Sequence, residues 1–135
     1  MNRRKSPYIT YFDDKEIVTF PKGITTIEKC GFMGSSLKTV ILPDTVETIG
    51  QGAFLGADIE SIVLPDGLKR IEDYAFAACL HLRKIYLPDG LLHIGARAFL
   101  GCDSLEFVEI PKSVEFIGDE VFALCYSCTY TRGTR

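Results

Sequence analysis

Tryptophan is absent from this 135-residue chain, histidine and methionine occur twice each, and asparagine occurs once, as Asn2. Apolar runs are short: none is longer than Ala75 to Leu80, far below the roughly 18 residues that a membrane-spanning helix needs. Neither sign of charge dominates, with 15 Lys and Arg against 18 Asp and Glu, a net charge of −3 and the basic residues scattered along the chain. That distribution gives no footprint for a phosphate backbone, so no nucleic-acid partner is expected. Met1 to Lys5 is basic, but Ser6 to Asp14 brings no apolar segment and no small-residue cleavage site, so no export signal is expected. The chain has no phosphate-cradling glycine loop, no nucleophile elbow and no acid and base at catalytic spacing. An enzyme, a cofactor and a metal are therefore not expected. What is present is 47% hydrophobic and 24% charged, a balance that supports a core, and the length fits one domain.

The dominant signal is a repeat. Pro21, Pro43, Pro65, Pro88 and Pro111 are separated by 22, 22, 23 and 23 residues. Phe32, Phe54, Phe76, Phe99 and Phe122 keep the same steps, as do Ile27, Ile49, Ile71, Ile94 and Ile117. The extra residue of the longer units falls after the Phe, in Ala77-Ala78-Cys79-Leu80-His81 against Leu55-Gly56-Ala57-Asp58, which marks that step as a loop. One such unit cannot bury both of its sides, whereas stacked units set each Phe on the next Phe and each Ile on the next Ile.

Before each proline, residues alternate between inward and outward: Val40 and Leu42, Ile62 and Leu64, Ile85 and Leu87, Val108 and Ile110 point inward. These runs predict short parallel strands, one per coil, at about 4.8 Å per coil and roughly 25 Å in all. Proline then ends the ladder, and Pro-Asp-Gly at 65–67 and 88–90 forms a turn. The small residues around Ala-Phe predict a helical or 3₁₀ turn.

This unit resembles that of the BspA-like leucine-rich repeats, L-x-x-V-x-L-P-x-x-V-x-x-I-G-x-x-A-F-x-x-C, over roughly residues 15–130. The asparagine ladder of other leucine-rich repeats has no counterpart here. The resemblance implies an α/β repeat solenoid, a right-handed β-α superhelix of about five coils that holds protein partners, often at the surfaces of bacteria and some protozoa. Residues 1–16 are expected to form an N-terminal cap segment, 17–127 five repeats, and 128–135 a degenerate C-terminal strand.

Five cysteines invite a chemical reading. Cys79, Cys102 and Cys125 all stand three residues after the repeated Phe, and Cys128 replaces the first Leu of a unit, so packing in the core explains them. Cys125-Tyr126-Ser127-Cys128 is also a C-x-x-C, which keeps redox or zinc chemistry open there, although no second pair completes four ligands. Cys30 falls at a variable position shared with Gly52, Tyr74, Arg97 and Glu120 and is expected to be the exposed, reactive thiol. His81 and His93 lie on different faces and are expected at the surface. Asp44, Asp66 and Asp89 read as turn formers, in a column that Lys22 and Lys112 close against cations.

In a solenoid, specificity falls to the outward strand positions. Glu16, Lys38, Glu60, Arg83 and Glu106 alternate in sign, a register-keeping pattern. Beside them run Thr19, Ile41, Val63, Tyr86, Glu109 and, in the next column, Ile17, Thr39, Ser61, Lys84, Phe107, Tyr130. The exposed apolar strip of Ile41, Val63 and Tyr86, edged by Thr39, Lys84, Phe107 and Glu109, is the expected binding face for a protein partner. The alternative is a structural, self-associating element. The chain after Phe122 offers little to cover the stack, which predicts a tail-to-tail homodimer through the C-terminal end or a piece of a longer array.

Overall fold

The computed structural model describes residues 6–133. The chain opens with an antiparallel hairpin of β1 (Ile9–Phe12) and β2 (Lys15–Val18), with Ile9 opposite Val18. It then winds into coils that each offer two strand positions, one before the proline and one at the repeated isoleucine. The first kind gives β4 (Thr39–Ile41), β6 (Ser61–Val63), β9 (Phe107–Ile110) and β11 (Thr129–Arg132). The second gives β3 (Thr26–Ile27), β5 (Thr48–Ile49), β7 (Arg70–Ile71), β8 (His93–Ile94) and β10 (Phe116–Ile117), a parallel sheet in the order β10-β8-β7-β5-β3.

The pre-proline strands do not close into one sheet. They form two parallel ribbons, β4–β6 and β9–β11, and residues 84–86 between them are held by a single bridge from Lys84 to Phe107. The five-stranded sheet has no sequence signature of its own, because strands of two residues carry no alternation to read.

The predicted columns are the core. Ile27, Ile49, Ile71 and Ile94 are fully buried, and so are Val46, Leu68 and Leu91 just after the prolines. Phe32, Phe54, Phe76 and Phe99 stack nearly parallel, 4.9 to 5.3 Å between ring centroids. Burying each ring contributes about 2–3 kcal/mol, so the column is the main source of cohesion along the axis.

The Ala-Phe segment is not helical: among the described residues there is no helix. In one coil Ala53, Leu55 and Ala57 donate back three residues to Gly50, Gly52 and Phe54, while Gly52, Phe54 and Gly56 donate across to Asp73, Ala75 and Ala77 of the next coil. An α-helix would keep every donor within its own segment. Here every second N–H leaves for the neighbouring coil, and that requires left-handed backbone two residues before and two after the Phe. Cys30, Gly52, Tyr74, Arg97 and Glu120 hold the first position and Gly34, Gly56, Ala78, Gly101 and Leu124 the second, all with φ between 55 and 71°. All these cross-coil bonds run in one direction, from a coil's N–H groups to the carbonyls of its successor.

The N-terminal end is closed by a segment that imitates a preceding coil. The Tyr8 ring lies on Phe32, at 5.1 Å and 13°, where another Phe would stack. The Ser6 hydroxyl donates to the Gly31 carbonyl at 2.6 Å, replacing a Phe N–H, and the Tyr8 hydroxyl accepts the Glu28 N–H at 2.8 Å. Gly31 stands where other coils have Ala53, Ala75, Ala98 and Val121, and a Cβ there would meet Tyr8 at 2.6 Å.

The C-terminal end differs from the expected register. Cys128 does close the turn that Leu105 closes one coil earlier, through its N–H to Cys125. Thr129, not Tyr130, then pairs with Phe107, so one residue is missing before the strand and Tyr130 falls opposite inward-facing Val108. Its ring stacks on Phe122 at 4.5 Å instead of extending the outer column. Coverage is thin: Ile117 is 37% exposed although the rest of its column is sealed.

Candidate binding face

The seven residues expected to bind a partner are all exposed at pre-proline positions, but they divide into two groups. Thr39, Ile41 and Val63 belong to the β4–β6 ribbon, where the Thr39 and Ser61 hydroxyls are 3.3 Å apart. Lys84, Tyr86, Phe107 and Glu109 line a concavity of about 660 Å³ over the fourth and fifth coils. The gap between the ribbons separates the groups. Ile41, Val63 and Tyr86 are 67%, 53% and 80% exposed, since alternation in the strand turns them away from the core that holds Val40, Ile62 and Ile85.

Asp89, Glu106 and Lys112 also line the concavity. Asp89 and Lys112 follow Pro88 and Pro111 directly, so the turn carries them round the strand ends to the rim. Their place in the turn column is the one sequence signal that points to them. At the opposite edge Arg83 and Glu106 form an exposed ion pair at 2.8 Å, and Arg83 holds the Glu106 carboxyl below its ordinary pKa. An aromatic floor of Tyr86 and Phe107 is thus framed by Lys84 and Lys112 and by Asp89, Glu106 and Glu109. Such a surface can bury apolar contact and orient it by charge.

The other sequence candidates are dispersed. Cys79 and Cys102 are fully buried and Cys125 nearly so, and each thiol donates to a Phe carbonyl one coil back. Cys30 is only partly buried. His81 is exposed. His93 is not a free surface residue: it stacks on Phe116 at 4.6 Å, with Nε2 3.5 Å from Glu72 Oε1. Burial, aided by Arg70, lowers its pKa, so it is neutral at pH 7. Among the described residues no three acids, cysteines or histidines come together to hold a metal ion, and no helix is long and apolar enough to cross a membrane.

Coils of 22 or 23 residues stacked through shared Phe and Ile columns, with one strand face left open, define a leucine-rich-repeat solenoid. The chain belongs to the BspA-type leucine-rich repeat family, whose repeat region matches residues 9–129 in six copies. It is similar to a leucine-rich repeat protein of T. pallidum, at 39% identity and a TM-score of 0.77 over 78% of this chain and 50% of that one. A leucine-rich cell surface protein of Faecalibacterium prausnitzii matches at 33% identity and TM-score 0.77, over 86% of this chain and 32% of its own. A leucine-rich repeat protein of Bacteroides ovatus matches at 34% and 0.76, over 94% and 32%. The chain thus spans half the T. pallidum structure and about a third of the other two. No curated protein matches it. Members of this repeat family are generally interaction or surface proteins and typically not enzymes.

Proposed function

We propose that the chain is a non-enzymatic protein-binding module whose partner docks on the pre-proline strand face, centred on Tyr86 and Phe107 and extending over Ile41 and Val63. The observation that carries this reading is the row of Ile41, Val63 and Tyr86, large apolar side chains more than half exposed at one strand position in successive coils. Sheet propensity alone would be served as well by threonine. Location at a cell surface, as printed for the F. prausnitzii protein, extends the same reading. A photo-crosslinking residue at position 63 or 86, compared with exposed position 47 just before β5, tests it in extracts of the source cells. Adducts from 63 and 86 alone, lost with Phe107→Lys, are expected. Equal adducts from 47, or none from 86, would refute it.

A second reading is self-association through the C-terminal end, favoured by the exposure of Phe116, Ile117 and Leu124. Among the described residues the N–H groups of Glu120, Phe122 and Leu124 have no partner there. A tail-to-tail pair sets these donors against donors, so apolar contact alone would hold it. Light scattering over a hundredfold range of concentration decides: a dimer abolished by Ile117→Glu supports this reading, and a persistent monomer removes it.

A further inference from the structure

Cys125 and Cys128 are the two residues of the cysteine set joined by a turn. The Cys128 N–H donates to the Cys125 carbonyl at 3.2 Å, closing a four-residue turn, and the ends of such a turn lie less than about 7 Å apart between Cα atoms. Disulfides span about 4.4–6.8 Å between Cα atoms. In the coils before, the same two positions hold Cys79 and Leu82, then Cys102 and Leu105, and all four are fully buried. Both positions therefore face the core; the Cys125 thiol donates to the Phe99 carbonyl at 2.9 Å and the Cys128 thiol lies 3.5 Å from the Thr129 carbonyl, so a bridge forms once both leave these partners. In the last coil that part of the core is open on its outer side: Phe122 and Cys128 are only partly buried and Leu124 is 55% exposed. A reagent that cannot reach Cys79 or Cys102 has access to Cys128 here.

We propose that Cys125 and Cys128 form a redox-active dithiol at the C-terminal end, oxidised to an intramolecular disulfide by a low-molecular-weight disulfide such as glutathione disulfide. One protein thiolate attacks a sulfur of glutathione disulfide, forming a mixed disulfide and releasing one glutathione thiolate. The second protein thiol loses its proton and attacks the protein-bound sulfur of the mixed disulfide. The Cys125–Cys128 bond forms and a second glutathione thiolate leaves. Two protein thiols are oxidised and one glutathione disulfide is reduced to two glutathiones. The two thiols are unequal: Cys125 is buried and donates to the Phe99 carbonyl at 2.9 Å, while Cys128 is only partly buried, and burial pushes its pKa up to about 11. The product ties the last turn to the start of β11, the strand that carries Tyr130 onto Phe122.

The native protein is equilibrated with graded ratios of glutathione disulfide to glutathione, quenched in acid, alkylated and mapped by peptide mass. The expected result is a bridged 125–128 peptide, with Cys30, Cys79 and Cys102 carrying the alkyl label. Cys128→Ser should leave Cys125 holding an unresolved glutathione adduct. Amide exchange of Thr129 to Arg132 should slow about tenfold in the bridged form. A stable Cys128–glutathione adduct in the unmodified chain, intermolecular bridges, or a 125–128 pair still reduced at every ratio would overturn the assignment. Cys125→Ala, which copies Ala57 in the same column, provides a second variant if the serine variant fails to fold.

Discussion

The Sγ of Cys102 lies 3.1 Å from the carbonyl oxygen of Phe76 one coil earlier, and the same bond recurs from Cys79 to Phe54 and from Cys125 to Phe99. The cysteine column thus hydrogen-bonds the aromatic column, and neither thiol of the inner coils is open to water.

Alkali should expose this dependence. Burial pushes the Cys79 thiol up to about 12, from an ordinary 9.0. The unfolded chain ionises this thiol first, so the stability it contributes is complete below pH 9 and is lost as pH rises toward 12. Urea midpoints measured between pH 8 and 11 should fall with pH, and Cys79→Ala should flatten that slope.

Phe76→Ala should cost about 3–5 kcal/mol, since a sealed ring between two stacked neighbours leaves a cavity that the coils cannot close. Phe122→Ala should cost less, because that ring is only partly buried and is stacked against Tyr130 on its outer side. Chemical denaturation of both variants gives the ordering, and equal losses would contradict it.

Left-handed backbone predicts a sign reversal at one column. Gly56 has φ 68° and open space within 4 Å of where a Cβ would stand, so Gly56→Ala should cost about 1 kcal/mol through backbone strain alone. Ala78 holds the same position in the next coil at φ 57°, and Ala78→Gly should be neutral or stabilising by a few tenths of a kcal/mol. Thermal melts of the two variants should move in opposite directions or leave the second unmoved.

Gly31→Ala should destabilise by about 1–3 kcal/mol, because the added carbon meets the Tyr8 ring. In a Tyr8→Ala background the same substitution should cost almost nothing, since alanine is the ordinary residue of that column. A double-mutant cycle that came out additive would show that Tyr8 is not the obstacle.

The proline, isoleucine and phenylalanine columns are legible from spacing because stacking forces identical side chains into register. The turn is not. Its small residues are compatible with a helix, and only the cross-coil bonds, which depend on a neighbour, decide against one. Variability at its position argues for Cys30 at the surface, whereas what that column shares is positive φ, a backbone property that Gly52 hints at and Tyr74 and Arg97 hide. Of the proposed binding face, the strip from Ile41 to Tyr86 is readable by alternation. The concavity with Asp89 and Lys112 is not, because it depends on how the turns curve back over the strand ends. Spacing misplaces Tyr130 by one residue, since a shortened turn leaves no mark until the strand pairs.

The one-way run of hydrogen bonds in the turns bears on how the protein is made. Synthesis proceeds from the N-terminus, so Tyr8 and the first coil leave the ribosome before the coils that follow them. In the turns each completed coil then presents its own N–H donors toward the segment still emerging and each new coil supplies the carbonyls, while beside the two-residue strands the new coil donates back to the old one. At the turns the growing chain meets a template that is already folded and awaiting acceptors, so assembly can keep pace with translation one coil at a time.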